Sequence, residues 1–197
     1  MRIRRNKFHF TSLGCLRNLM DSEEMIAKLL RHGYEIVGEE ELADYLVVNT
    51  YGFLASARQE ALDRGDLPAE KVEAKAIVTG SMVQKKGDLI RSTFSDIHYL
   101  LGAREVEHIV GAARSGQGSV ISSGRSYLAA GEIPAFRITP PRYAYTKIPE
   151  VCKKACAFCT IPDIKYPLRS KEEKRDLYEF QTLLQSGVEE IILIAQD

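Results

Sequence analysis

Short apolar runs alternate with stretches of helical periodicity along most of this chain, and that alternation leaves few folds open. Lys7–Thr11, Tyr45–Val48, Ala76–Val78, His98–Leu101, Tyr143–Ile148 and Ile191–Ala195 read as strands. Most are continuous apolar runs rather than half-polar alternations, as expected of strands covered on both faces. Between them, Asp21-Ser-Glu-Glu24 predicts a helix start, with Asp21 as N-cap and Glu24 at the capping-box position. Met25, Leu29 and Leu30 supply its apolar stripe, and Gly33 its end. Further helices are expected over Phe53–Leu62, Leu89–Phe94 and Glu105–Ala113. Ser170-Lys-Glu-Glu173 opens another, running to Gln185 and stopped by Gly187. Strands that alternate with helices pair in parallel, with helices on the sheet faces, so the fold class is α/β.

The alternation breaks between Ser115 and Pro141, a stretch rich in Gly, Ser and Pro that ends Thr139-Pro140-Pro141. It reads as a linker carrying a short strand at Ser119–Ser122. The expected organisation is a doubly wound parallel-sheet domain over residues 1–114, a linker over 115–141 and a second α/β segment over 142–197. No internal repeat or low-complexity segment interrupts it.

With 197 residues and 45% apolar content, the chain can bury a proper core. Lys+Arg and Asp+Glu are both 27, which argues against holding nucleic acid by bulk charge. No apolar run approaches the roughly 18 residues of a membrane-spanning helix. The basic start Met1–Lys7 lacks the apolar core of a secretion signal. A cytoplasmic protein without membrane contact is expected. In that compartment the four cysteines, Cys15, Cys152, Cys156 and Cys159, are not expected to form disulfides, and the three clustered thiols point to a metal.

The spacing Cys152-x3-Cys156-x2-Cys159 suits a cubane iron–sulfur cluster. Three thiolates bind three irons and leave the fourth open for chemistry. The alternative is a zinc knot completed by Cys15 or a histidine, although zinc motifs favour Cys-x2-Cys pairs. The loop follows a strand, where sites are commonly built. His9, His32, His98 and His108 show no metal spacing; His9 is expected in a strand and the others on helices or the surface. Lys85-Lys86 and Lys153-Lys154 read as solvated faces, and Gly14, Gly52 and Gly80 as turn glycines after strands. Asn49 either points into a site or forms a turn.

From Thr11 onward the sequence resembles the methylthiotransferase family of radical S-adenosylmethionine enzymes. The family pattern Ser-Leu-Gly-Cys followed by Asn-Leu-x-Asp-Ser-Glu stands here as Ser12-Leu-Gly-Cys15-Leu-Arg-Asn18-Leu-Met-Asp21-Ser-Glu23. Asn-Thr-Cys-Gly-Phe stands as Asn49-Thr-Tyr51-Gly-Phe53, and Val-Thr-Gly-Cys as Val78-Thr-Gly80-Ser81. The radical motif stands as Glu150-Val-Cys152-Lys-Lys-Ala-Cys156-Ala-Phe-Cys159-Thr-Ile-Pro162, followed by Leu168-Arg-Ser170. Ile191–Asp197 resembles the family's second barrel strand.

The resemblance implies that residues 142–197 begin a radical-SAM partial barrel. Cys152, Cys156 and Cys159 would ligate a 4Fe-4S cluster, with Phe158 beside the cofactor. S-adenosylmethionine would serve both as radical source and as methyl donor. Ser12-Leu-Gly-Cys15, Gly52-Phe53, Ile161-Pro-Asp-Ile164 and Arg169-Ser170 resemble the branch that methylthiolates an aspartate of a small-subunit ribosomal protein. The other branch modifies an adenosine beside the tRNA anticodon; balanced charge fits it less well.

Three features depart from the family. Its first module uses three cysteines for an auxiliary cluster implicated in sulfur transfer, whereas here only Cys15 keeps its thiol and Tyr51 and Ser81 take the other places. Oxygen ligands replace thiolate poorly on iron, so one cluster is expected and methylthio transfer is expected to be impaired. Val151 stands where the family usually has Gly, and Tyr166-Pro167 replaces a small-residue turn. The span from Tyr143 to Asp197 covers one strand–helix unit and the next strand of a longer barrel, so a fragment or degenerate form is expected. A non-catalytic metal-binding or interaction module is the competing reading.

Overall fold

The structure is a computed structural model that describes residues 6–51, 74–94, 96–122, 136–150, 152, 154, 156–161, 164 and 169–195. The helix expected over Phe53–Leu62, and Gly52, Val151 and Tyr166-Pro167, lie outside the described residues.

The apolar runs become strands, each a little longer than its run: β1 (Lys7–Ser12), β3 (Tyr45–Thr50), β4 (Lys75–Gly80) and β5 (Ile97–Gly102). A two-residue strand, β2 (Glu35–Ile36), and β6 (Gly118–Val120) complete a six-stranded sheet in the order β2-β1-β3-β4-β5-β6. Every pairing in this sheet is parallel. All six residues of β3 are buried, as the continuous apolar run requires of a strand covered on both sides.

Alternate residues of each strand feed two cores. On one face, Phe8, Tyr45, Val47, Ile77 and Leu101 pack with Met25 and Leu29 of α1 (Leu16–Arg31). Val106 of a 3-10 turn (Val106–His108) and Ile109 and Ala112 of α3 (Ile109–Arg114) join them. Phe8 stacks on Tyr45 with ring centroids 4.6 Å apart, and the Tyr45 hydroxyl donates to the Ala113 carbonyl at 2.8 Å. On the other face, Val78 and Leu100 pack with Met82, Val83 and Ile90 of α2 (Ser81–Thr93). The sheet is therefore doubly wound. Arg91 of α2 donates to the Ile97 and Gly118 carbonyls, at 2.8 and 2.5 Å, and ties β6 to the sheet edge.

The helix start read at Asp21 is corrected. Helix α1 begins at Leu16, with Cys15 as an extended N-cap that makes no side-chain capping bond. Asp21, Ser22, Glu23 and Glu24 lie buried within the helix. They mimic a capping box, but tertiary partners hold them: Ser22 accepts from Asn49, Asp21 pairs with Lys147, and Glu23 accepts the Ile138 N–H. The stripe is corrected as well: Met25, Ile26 and Leu29 are buried, while Leu30 is 37% exposed. The end stands as expected, with Gly33 at φ +82° after His32.

Helix α2 also starts earlier than its apolar pattern, directly at Ser81; Gly80, at φ +101°, turns the chain from strand to helix. His98, expected both to open the strand His98–Leu101 and to lie on a helix or the surface, is buried in β5 beside Tyr45.

Beyond residue 136 a second unit forms. β7 (Tyr143–Lys147) pairs in parallel with β10 (Glu190–Ile194), and α4 (Glu173–Gln185) connects them across a core of Ala144, Leu183, Val188 and Ile191. The expected Ser170 cap is instead Glu172, without a side-chain cap bond. Lys171 pairs with Glu179 of α4 at 2.5 Å. A short antiparallel pair, β8 (Pro149–Glu150) with β9 (Arg169–Ser170), brackets the cysteine loop.

Two outcomes follow for this core. Leu29→Ala should cost about 2–5 kcal/mol in chemical denaturation, whereas Leu30→Ala should stay within about 0.5 kcal/mol. Burial, with Lys75 nearby, holds the His98 imidazole below its ordinary value of 6.5. The unfolded chain then takes up a proton that the folded chain refuses, so stability should fall as pH drops through about 6.5. His98→Phe keeps the aromatic packing and should flatten that part of the stability–pH curve.

Candidate functional site

The strand order turns back at β1 and β3: from these neighbours the sheet grows in opposite directions. Loops leaving the carboxyl ends of two such strands diverge and open a crevice, the usual ligand position in doubly wound sheets. The register sets Ser12 beside Asn49 and Thr50 beside Gly80, so the three strand ends lie level. Cys15, Tyr51 and Ser81 follow directly, and the fold brings all three positions to one sheet edge.

A buried polar knot fixes this edge. Asn18 donates to the Thr50 carbonyl at 2.9 Å and to Asn49 Oδ1 at 3.2 Å. Asn49 in turn donates to the Asn18 carbonyl at 2.8 Å and to Ser22 Oγ at 3.0 Å. Asn49 thus neither points into a site nor makes a turn; it fastens the end of β3 to α1. Cys15 is exposed, and its thiol lies 3.6 Å from Asn18 Oδ1.

Tyr51 crowds Gly14, which sits at φ +129°; a Cβ there would stand 2.6 Å from the Tyr51 Cβ. Burial pushes the Tyr51 phenol above its usual value of 10, and the neighbouring Cys15 adds to this. The phenol is therefore neutral at physiological pH. Ser81 is buried at the first position of α2.

The cysteine loop leaves the second unit beside β8. Cys152 and Cys159 are partly buried and Cys156 is exposed, and all are free thiols. A turn links the Cys159 N–H to the Cys156 carbonyl at 3.0 Å, and the Lys154 N–H points at Cys152 Sγ at 3.4 Å. Phe158 stands at the turn with 90% of its surface exposed. Lys154, Lys85 and Lys86 are exposed, as expected.

The two units meet over a cleft of about 510 Å3. Cys15, Leu16 and Tyr51 form one wall; Phe158, Cys159 and Ile161 form the other, with Ile194 at the end of β10. Residues far apart in the chain, Cys15 and Cys159, thereby share one cavity.

By donor chemistry the cysteine loop fits a three-thiolate iron–sulfur cluster: three free sulfurs on one loop, with a main-chain N–H already directed at one of them. The sulfurs are not gathered, since among the described residues no three Cys, His, Asp or Glu stand ready to hold a metal ion. Such a loop closes as it binds, because ligation supplies the ordering energy. The Cys15 wall does not fit a second cluster. It offers one thiol, one neutral phenol and one buried hydroxyl, and iron of this kind wants thiolates.

The sequence reading passed over the groups joining the two units, Arg17, Arg104 and Lys147. Lys147 left a trace: a lysine stands inside the strand read as Tyr143–Ile148.

The edge geometry makes a direct comparison of two glycines possible. Gly80→Ala drives a methyl to 2.3 Å from the Thr50 main-chain oxygen, and Gly14→Ala drives one to 2.6 Å from the Tyr51 Cβ, which the backbone holds in place. Both should lower the thermal midpoint, and Gly80→Ala should lower it more.

Residues 7–102 match the family described as "Uncharacterized protein family UPF0004". Over 195 residues the chain is 54% identical to the ribosomal protein uS12 methylthiotransferase RimO of Protochlamydia amoebophila (strain UWE25), covering 98% of this chain and 41% of that protein. The protein of the same name from Chlamydia pneumoniae is 50% identical over 197 residues, covering 99% and 42%. That of Francisella philomiragia subsp. philomiragia is 37% identical over 192 residues, covering 97% and 42%. The chain spans about two fifths of the length of these relatives. Residues 7–102 thus match the UPF0004 family model, and the chain as a whole is a homologue, over about two fifths of their length, of the uS12 methylthiotransferases.

Proposed function

We propose that this chain is the cluster-bearing part of a radical-SAM methylthiotransferase whose substrate is an aspartate of the small-subunit ribosomal protein uS12. Cys152, Cys156 and Cys159 are the ligands of its 4Fe-4S cluster. The observation that carries this reading is the cleft: the cysteine loop faces the Cys15–Tyr51 edge in a chain 54% identical to a uS12 methylthiotransferase.

Such a cluster, when bound, supplies the electron that cleaves S-adenosylmethionine. The chain's own residues prepare that site. The Lys154 N–H points at the Cys152 sulfur. Leu16, Ile161 and Ile194 present apolar surface to the cleft and limit water there. Phe158, beside Cys159 on the same wall, offers its ring to the cofactor. Cys15 keeps the auxiliary position, with Tyr51 and Ser81 in the places of its partners, so we assign one cluster to this chain and an impaired sulfur-transfer step. Residues 1–114 form the auxiliary module, 115–141 the linker, whose β6 adds the last strand to the module's sheet, and 142–197 the start of the radical-SAM barrel. We place the protein in the cytoplasm, with S-adenosylmethionine and uS12 as partners and no direct nucleic-acid contact.

Anaerobic reconstitution with iron and sulfide tests this reading. Uptake of about four irons per chain is expected. Cys152→Ser, Cys156→Ser and Cys159→Ser should each abolish the cluster's absorption, and Cys15→Ser should leave it unchanged. Twice that uptake overturns the single-cluster assignment. Tight zinc binding without iron uptake overturns the radical reading in favour of a non-catalytic metal module. A methylthio mass gain on tRNA rather than on uS12 would overturn the substrate assignment.

A further inference from the structure

We infer that Asp21, Arg17 and Lys147 are positioning residues: helix α1 uses them to hold the cysteine loop at a set place opposite Cys15. Lys147, the last residue of β7, donates to Asp21 Oδ1 at 2.6 Å, with the two side chains 3% and 11% exposed. One helical turn earlier on the same face, buried Arg17 donates to the Pro149 carbonyl at 2.5 Å. Both contacts grip the chain where it enters the loop. At the far side, buried Arg104, just past β5, donates to the Ile164 carbonyl at 2.6 Å. The loop's entry and exit are therefore both tied to the UPF0004 module, while Phe158 and Cys156 at its turn stay exposed.

The choice of groups is informative. Burying a carboxylate and an ammonium is expensive, and apolar residues of similar volume would bind the two units at least as strongly. An ion pair and an arginine–carbonyl bond add direction: they accept one geometry and penalise a slipped one. Sliding β7 along α1 would strand buried charges, so the two walls of the cleft are held in register. Relevance to a cluster rests on the function proposed above; the clamp itself is a statement about geometry.

Cross-linking measures that geometry. In full chain carrying Cys152→Ser and Cys156→Ser, Cys15 and Cys159 are the remaining thiols. A short bifunctional alkylating reagent should join them readily. Asp21→Asn, Lys147→Met and Arg17→Ala should each lower the joined fraction about tenfold, because the effective concentration of one thiol at the other falls. Lys147→Arg keeps the charge and should restore most of the yield. Leu29→Ala weakens the sheet core without touching the clamp and should leave the yield unchanged. Should Lys147→Met unfold, as judged by far-UV circular dichroism, Arg17→Ala carries the same expectation and leaves the Asp21–Lys147 pair in place. Wild-type yield in the clamp variants, or equal loss in Leu29→Ala, overturns the inference. Iron uptake in the native-cysteine chain is read separately. Its absence alongside clamp-dependent cross-linking sinks the cluster assignment and spares the clamp; iron uptake with clamp-independent cross-linking does the reverse.

Discussion

A parallel strand buried on both faces has to satisfy its main-chain groups along both edges, and β3 is that strand here. Its pairing with β1 on one side and β4 on the other fixes the level at which three loops emerge. Everything at the cleft depends on this register. Cys15, Tyr51 and Ser81 share an edge because their strands end side by side, and Asn18 and Asn49 then lock α1 onto that edge from within. A slip of one residue would exchange the two core-facing sides of β3 and put its end out of level with those of β1 and β4.

Helix α1 serves two masters. Its apolar side, Met25 and Leu29, packs on the sheet. Its polar residues, Arg17, Asp21 and Glu23, reach the second unit, where they meet Pro149, Lys147 and the Ile138 N–H. This division explains an otherwise odd burden of charge inside a buried helix. It also explains why a capping rule misplaced the helix start by several residues: the rule reads Asp-x-x-Glu as local hydrogen bonding, and here Asp21 is claimed by Lys147, 126 residues away.

The cleft joins a loop of three thiols to an edge that holds one. Chemistry on the first side is open to a thiolate-bound cluster. On the second, a phenol that burial holds above its usual value of 10 fills space beside a single thiol. The chain's two halves therefore stand differently toward the activity in its relatives' names, although both halves align with those relatives.

The sequence by itself determined the α/β class, the positions of most strands, the three-thiol motif and the resemblance to a known family. These are local properties: continuous apolar runs such as Tyr45–Val48 and a fixed spacing such as Cys152–Cys156–Cys159 carry their meaning within a few residues. Tertiary structure alone decided where α1 and α2 begin, that His98 is buried, that Asn49 is a fastener, and that Cys15 and Cys159 share a cavity. Each depends on contacts between distant residues. The pattern Asp21-x-x-Glu24 is the same string whether it caps a helix or faces a buried lysine, and only the folded neighbour Lys147 distinguishes the two.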